Sequence, residues 1–131
     1  MVKIWTLSRC FEHFGAVCAS SFSRSAISKD GRTVVVTMWD DEFGQDGHRI
    51  TYETQYRPAP RGKRRGADSE WAANLIWART HCDGLVRVVV LTAKDITANP
   101  RTILYCYPDE SLVMRITHLD VGAGILRAES V

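Results

Sequence analysis

Between Leu85 and Tyr107 the chain reads LVRVVVLTA, then KDITANPR, then TILYCY. The first run is apolar and β-branched and long enough for a central strand, and the last is a second strand with aromatic weight at Tyr105 and Tyr107. Asn99-Pro100 lies between them and rules out a helix there. The pair reads as the central hairpin of an antiparallel sheet. Pro108-Asp109-Glu110-Ser111 reads as a turn, and residues 112–119 as a strand with Leu112, Met114 and Ile116 inward. A turn at 120–124 and a short edge strand at 125–129 complete a meander, because the links between these strands are short.

The first half is patterned more unevenly. Ile4, Leu7, Phe11 and Phe14 recur at helical spacing, with Thr6 or Ser8 as cap and Gly15 as stop, which predicts a short helix over 6–14. Residues 16–22 are small and tolerant of a strand. Asp30-Gly31 is a tight-turn signal, so that stretch and the strand 32–39 (RTVVVTMW) should form a hairpin. Asp40-Asp41-Glu42 ends the strand, and Gly44 to Gly47 reads as loop. Residues 49–56 alternate, with Ile50, Tyr52, Thr54 and Tyr56 on one face. A helix over 68–82, capped by Asp68 or Ser69 and stopped by Gly84, lines up Trp71, Leu75, Ala78 and Cys82. The expected fold class is α+β: one domain over 1–131, mainly antiparallel, with one short N-terminal helix and one central helix. A sheet of about seven strands tends to curl towards an open barrel and so cover its edges.

Composition supports a globular chain. Of 131 residues, 45% are hydrophobic and 24% charged, and the net charge is only +2. A chain of this length buries roughly two thirds of its unfolded surface without needing staples. The four cysteines (Cys10, Cys18, Cys82 and Cys106) are widely spaced. With no signal-peptide pattern at Met1 to Trp5 and no apolar run of about 20 residues, the expectation is a cytoplasmic protein with free thiols and no membrane contact.

Charge is concentrated at residues 57–66 (RPAPRGKRRG), where Arg57, Arg61, Lys63, Arg64 and Arg65 stand without an acid. Such a run attracts phosphate and releases counterions, and Arg87, Arg101 and Arg115 add cations on strands or strand starts. Trp39, Tyr52, Tyr56, Tyr105 and Tyr107 are aromatics able to stack on bases. The leading expectation is a non-enzymatic domain that binds DNA, RNA or a nucleoprotein. Trp39, Tyr105 and Tyr107 would stack, and Arg61, Lys63, Arg64, Arg65 and Arg101 would meet phosphate.

Other chemistry is weaker in the sequence. Cys10 and His13 have C-x-x-H spacing, but a zinc site needs two more ligands, from Cys18, His81 or Cys82. The same residues could supply a Cys/His nucleophile pair. Asp40, Asp41 and Lys94 follow strands and could form a metal-dependent enzyme site, although their spacing fits no such motif. No phosphate-cradling glycine loop, H-E-x-x-H or G-x-S-x-G is present, so neither catalytic residues nor a cofactor or metal are expected. A protein-interaction module is the alternative, such as a phage or mobile-element inhibitor of a host defence nuclease. The sequence leaves the oligomeric state open.

Several stretches carry a resemblance that spans most of the chain. They are Phe11-Glu12-His13-Phe14-Gly15, the run from Asp30 to Asp41, Ala93-Lys94-Asp95 with Pro100-Arg101, and the run from Leu112 to Asp120. They resemble small uncharacterised bacterial proteins of similar length, to which no activity attaches. In those proteins the segment before the first hairpin is richer in Trp, whereas here it is Ser21-Phe22-Ser23-Arg24-Ser25. If Trp lines a pocket there, the resemblance implies that this chain's pocket is altered. The expected architecture also resembles PUA-like domains, curled-sheet modules that include readers of modified bases. That is a likeness of fold, and fold does not fix function.

Overall fold

The computed structural model describes residues 5–18, 23–55, 65–98 and 101–131, and the backbone alone for 65–69. The elements in chain order are α1 (Leu7–His13), β1 (Ser25–Ile27), β2 (Val34–Trp39), a single 3₁₀ turn (Asp40–Glu42), β3 (Phe43–Asp46), β4 (Arg49–Gln55), α2 (Arg65–His81), β5 (Leu85–Ala93), β6 (Ile103–Asp120) and β7 (Ile125–Ser130). The strands form one sheet in the order β1-β2-β5-β6-β7-β4-β3. Every neighbouring pair is antiparallel except β2 with β5. The α+β expectation, with a mainly antiparallel sheet and two helices, matches this arrangement.

The connection between β2 and β3 shows why the sheet must curl. β3 is the last strand of the sheet and β2 the second, yet only Asp40–Glu42 join them. The far edge is therefore carried back towards the end of β2, and the Tyr52 hydroxyl of β4 lies 3.3 Å from the Trp39 backbone N–H, which donates to it. The sheet forms a trough that does not close.

Burial on both faces follows from the apolar runs. Val34, Val36 and Met38 of β2 and Val86, Val88 and Val90 of β5 join Tyr52, Leu112, Met114, Leu126 and Ala128 inside the trough, and α2 adds Trp71, Leu75 and Ala78. Val35, Val89, Leu91 and Cys106 point the other way and pack against Cys10 and Phe11 of α1. Strands covered on both faces read as continuous apolar runs, as these do. Asn74 of α2 donates a 2.9 Å hydrogen bond to the buried Ser25 hydroxyl, which pins the helix over β1.

Four expectations are corrected. The first strand is Ser25–Ile27 rather than 16–22, because the Asp30-Gly31 turn sets Ser25 opposite Val36. Ala16 contributes an isolated bridge to Ser28, and residues 19–22 lie outside the described residues. The expected loop at 44–47 is largely strand β3, hairpinned to β4 across Gly47 at φ +61°. A Cβ at position 44 would meet the Thr51 hydroxyl at 2.8 Å, so that side chain would have to turn aside. The expected turn at 108–111 does not reverse the chain. It is a bulge within the 18-residue β6, where Val88 pairs with Asp109 but Arg87 pairs with Val113. Finally, α2 starts at Arg65, before the expected cap, with no proline between Pro60 and His81 to interrupt it. Its end matches expectation: the Gly84 N–H, at φ +75°, donates to the Ala78 carbonyl at 2.9 Å.

Candidate functional site

Strand pairing decides which side chains share a face. Met38, Val90 and Tyr107 form one row across β2, β5 and β6, and they face into the trough. Thr92 and Tyr105 form the row beyond it on the same face. Asp109, paired with Val88, also faces inward. Tyr105, Tyr107 and Asp109 are thus consecutive inward positions on β6. Both tyrosines stay exposed, at 58% and 43%.

Opposite them stand the 3₁₀ turn and the β3–β4 hairpin. Between the two sides lies an open cleft of about 410 Å³, lined chiefly by Asp40, Phe43, Gln45, Tyr107, Asp109 and Leu112. Asp40 is held by the Thr92 hydroxyl at 2.6 Å, and Asp109 accepts from the backbone N–H and hydroxyl of Ser111 at 3.1 and 2.6 Å. Phe43 packs on Tyr52 with ring centroids 5.1 Å apart. The Tyr107 phenol has its pKa raised above the usual value, first by burial and then by the negative charges of Asp109 and Asp40. The cleft therefore combines aromatic walls with acceptor groups in a negative field. It suits a planar group with N–H donors and disfavours a bare phosphate.

The residues singled out in the sequence fall into three places. Tyr105 and Tyr107 line the trough. Trp39 and Arg101 do not join them. Trp39 lies in the row of Leu91 and Cys106, on the α1 side of the sheet. The Arg101 guanidinium stacks 5.3 Å from the Trp39 ring and forms a two-pronged pair with Asp41 at 2.8 and 3.0 Å. Arg101 is thus a clamp across the sheet end, and its geometry gives it to Asp41 rather than to a phosphate. Arg61, Lys63 and Arg64 lie outside the described residues, as do Arg57 and Tyr56, and Arg65 is described in backbone only. Arg87 donates to the Glu110 carbonyl at 2.7 Å and lies 4.9 Å from the Phe14 ring.

The alternative sets are not assembled. Asp40 and Asp41 turn to different partners, Thr92 and Arg101, and Glu42 accepts from the Tyr52 and Thr54 hydroxyls at 2.7 and 3.1 Å. Exposed Lys94 makes its described contact through its backbone N–H, to the Thr102 carbonyl. Of the proposed zinc ligands, Cys10 faces Cys106, His13 pairs with Glu110, and Cys82 sits at the end of α2 beside the Gly31 carbonyl. Among the described residues no three His, Cys, Asp or Glu side chains are grouped to hold a metal ion.

No family model, curated protein or solved structure matches this chain. The cleft therefore has to be read from its own chemistry. Among the described residues, no helix is long and apolar enough to cross a membrane.

Asp109, Phe43 and Gln45 belong to the cleft but were not expected as ligand contacts, and Asp40, expected only in a metal-dependent enzyme site with Asp41 and Lys94, lines it with them. Reading 108–111 as a turn and 44–47 as loop removed Asp109 and Gln45 from any common face. The spacing Tyr105, Tyr107, Asp109 was the available signal, since alternate positions of one strand share a face.

Proposed function

We propose that this chain is a nucleic-acid-binding domain that does no chemistry of its own and takes an unstacked base into the cleft between β6 and the β3–β4 hairpin. The observation that carries the reading is the cleft itself, with Tyr107 and Phe43 as stacking surfaces and Asp40, Asp109 and Gln45 at its rim. Stacking on an aromatic is worth about 1–3 kcal/mol per base. Carboxylates accept hydrogen bonds from the exocyclic amino group of cytosine or adenine and find no such donor on uracil or thymine. The basic run at 57–65 supplies the phosphate contacts that the cleft does not.

The test is binding of short single- and double-stranded DNA and RNA across a salt series. Neutralising Arg61, Lys63, Arg64 and Arg65 together should weaken binding to every sequence. It should also flatten the logarithmic salt slope by roughly 0.7 to 0.9 for each phosphate that is no longer neutralised. Unchanged affinity and slope in that variant would rule out a role for the basic run.

One observation favours a second reading, as a protein-interaction module. β7 pairs with β6 only from Met114 to Asp120, so among the described strands the stretch from Ile103 to Asp109 is paired with β5 alone. Ile103 and Leu104 are exposed there, at 42% and 55%. An open edge of this kind accepts an extended strand from another protein. Tight binding to one protein, with no affinity for nucleic acid at low salt, would select this reading.

A further inference from the structure

Cys10 of α1 and Cys106 of β6 meet in the second core with their sulfurs 3.6 Å apart. Both are free thiols, Cys10 wholly buried and Cys106 only 7% exposed. Cys106 lies between Tyr105 and Tyr107 in the strand, with its side chain on the opposite face from theirs. Two sulfurs already in contact need little movement to reach the bond length of about 2 Å. We infer that Cys10 and Cys106 are a reversible thiol–disulfide latch that ties α1 to the back of the strand carrying the cleft tyrosines.

The oxidant required is a low-molecular-weight disulfide, RSSR. Cys106 is the more accessible thiol. Once deprotonated, it attacks one sulfur of RSSR, forming a mixed disulfide and releasing RSH. Cys10 then loses its proton and attacks the Cys106 sulfur, releasing the second RSH. Two protein thiols are oxidised and one RSSR is reduced to two RSH.

Burial, together with the Cys106 hydrogen bond, pushes the Cys10 thiol up to about 12. Few thiolates therefore form while α1 is packed, and the second step waits for the helix to loosen. α1 has seven residues, of which only Cys10 and Phe11 are buried, so it belongs to the easily opened parts of the fold. The same packing shields the finished bond from reductants, which makes the pair a slow latch rather than a rapid couple. The latch does not depend on what the cleft binds.

The test uses the full chain incubated with oxidised glutathione, in buffer and in urea just below the unfolding midpoint. Remaining thiols are then blocked under denaturing conditions and the digest is weighed. The expected product is a cross-linked pair of peptides containing Cys10 and Cys106, lighter by two hydrogens, formed faster in urea and reversed by dithiothreitol. Cys18 and Cys82 should be recovered blocked or as mixed disulfides. In Cys10→Ser the cross-link should vanish and Cys106 should stop at the mixed disulfide. Recovery of Cys10 and Cys106 as blocked thiols under both conditions, or bonding of either to Cys18 or Cys82, would overturn the inference.

Discussion

Glu42 lies in the 3₁₀ turn that carries the chain from β2 to β3, and it ties that turn to β4 through Tyr52 and Thr54. Replacing it with Ala leaves the nearly buried Tyr52 hydroxyl without its acceptor, which should cost about 1–3 kcal/mol in urea unfolding, with partial recovery in Glu42→Gln. The same contact sets a pH dependence. The Tyr52 phenol is held above its usual range by burial first and then by Glu42, and Tyr107 is raised by burial and then by Asp109 and Asp40. A phenol whose folded pKa exceeds its unfolded value keeps its proton more tightly in the native state. The associated stability is therefore complete below about pH 10 and is lost as pH rises through the raised folded values. Phenolate absorbance should appear at higher pH in the native protein than in the urea-unfolded chain, and superimposed curves would contradict this. At this scale the sequence told residue type and little of partnership. Trp39 and Arg101 carried the right chemistry for a nucleic-acid contact, but the single carboxylate of Asp41 draws Arg101 onto the far side of the sheet.

Gly31 shows how an element fixes its neighbours. Its φ of +73° shapes the β1–β2 hairpin, and an added Cβ would lie 3.3 Å from the Trp77 ring, whose Nε1 donates to the Gly31 carbonyl at 2.8 Å. Gly31→Ala should therefore lower stability by about 1 kcal/mol or more, read as a shift in the urea midpoint at constant slope. Leu75 of α2 is fully buried inside the trough, and Leu75→Ala should cost about 2–5 kcal/mol by the same measurement. Most elements were legible because their periods are clean. The inward Leu112, Met114 and Ile116 and the Trp71-Leu75-Ala78 stripe face the core as read, whereas of the β4 alternation Tyr52 is buried and Ile50 stays 40% exposed. The bulge was not legible, since Pro108, Asp109 and Ser111 are turn residues by type. Asp109 does make a local turn onto Ser111, but pairing with β5 on both sides of the bulge keeps the strand running. The parallel pairing of β2 with β5 was also missed. Its trace was the burial of both Val34-Val35-Val36 and Val88-Val89-Val90 on two faces, a feature of strands covered from both sides.

For the molecule as a whole, the short link from β2 to β3 draws the sheet into a trough, α2 fills its middle, and the remaining open end is the cleft. The α1 helix backs the same strand from outside through Cys10 and Cys106. Closing a bond between residues 96 positions apart restricts the unfolded chain, with an entropic gain of up to about 4–5 kcal/mol. The oxidised protein should accordingly melt at a higher temperature than the reduced one, and equal melting temperatures would show a strained or absent bond. The central claim is that the cleft holds a base, and the most direct measurement is the affinity of short single strands rich in cytosine, adenine or thymine for wild type and Tyr107→Ala at low salt. Strands bearing amino groups should bind tighter than thymine strands. Tyr107→Ala should lose about 1–3 kcal/mol of that affinity without changing the salt slope. Equal affinity in Tyr107→Ala, or no base preference in the wild type, would contradict the claim.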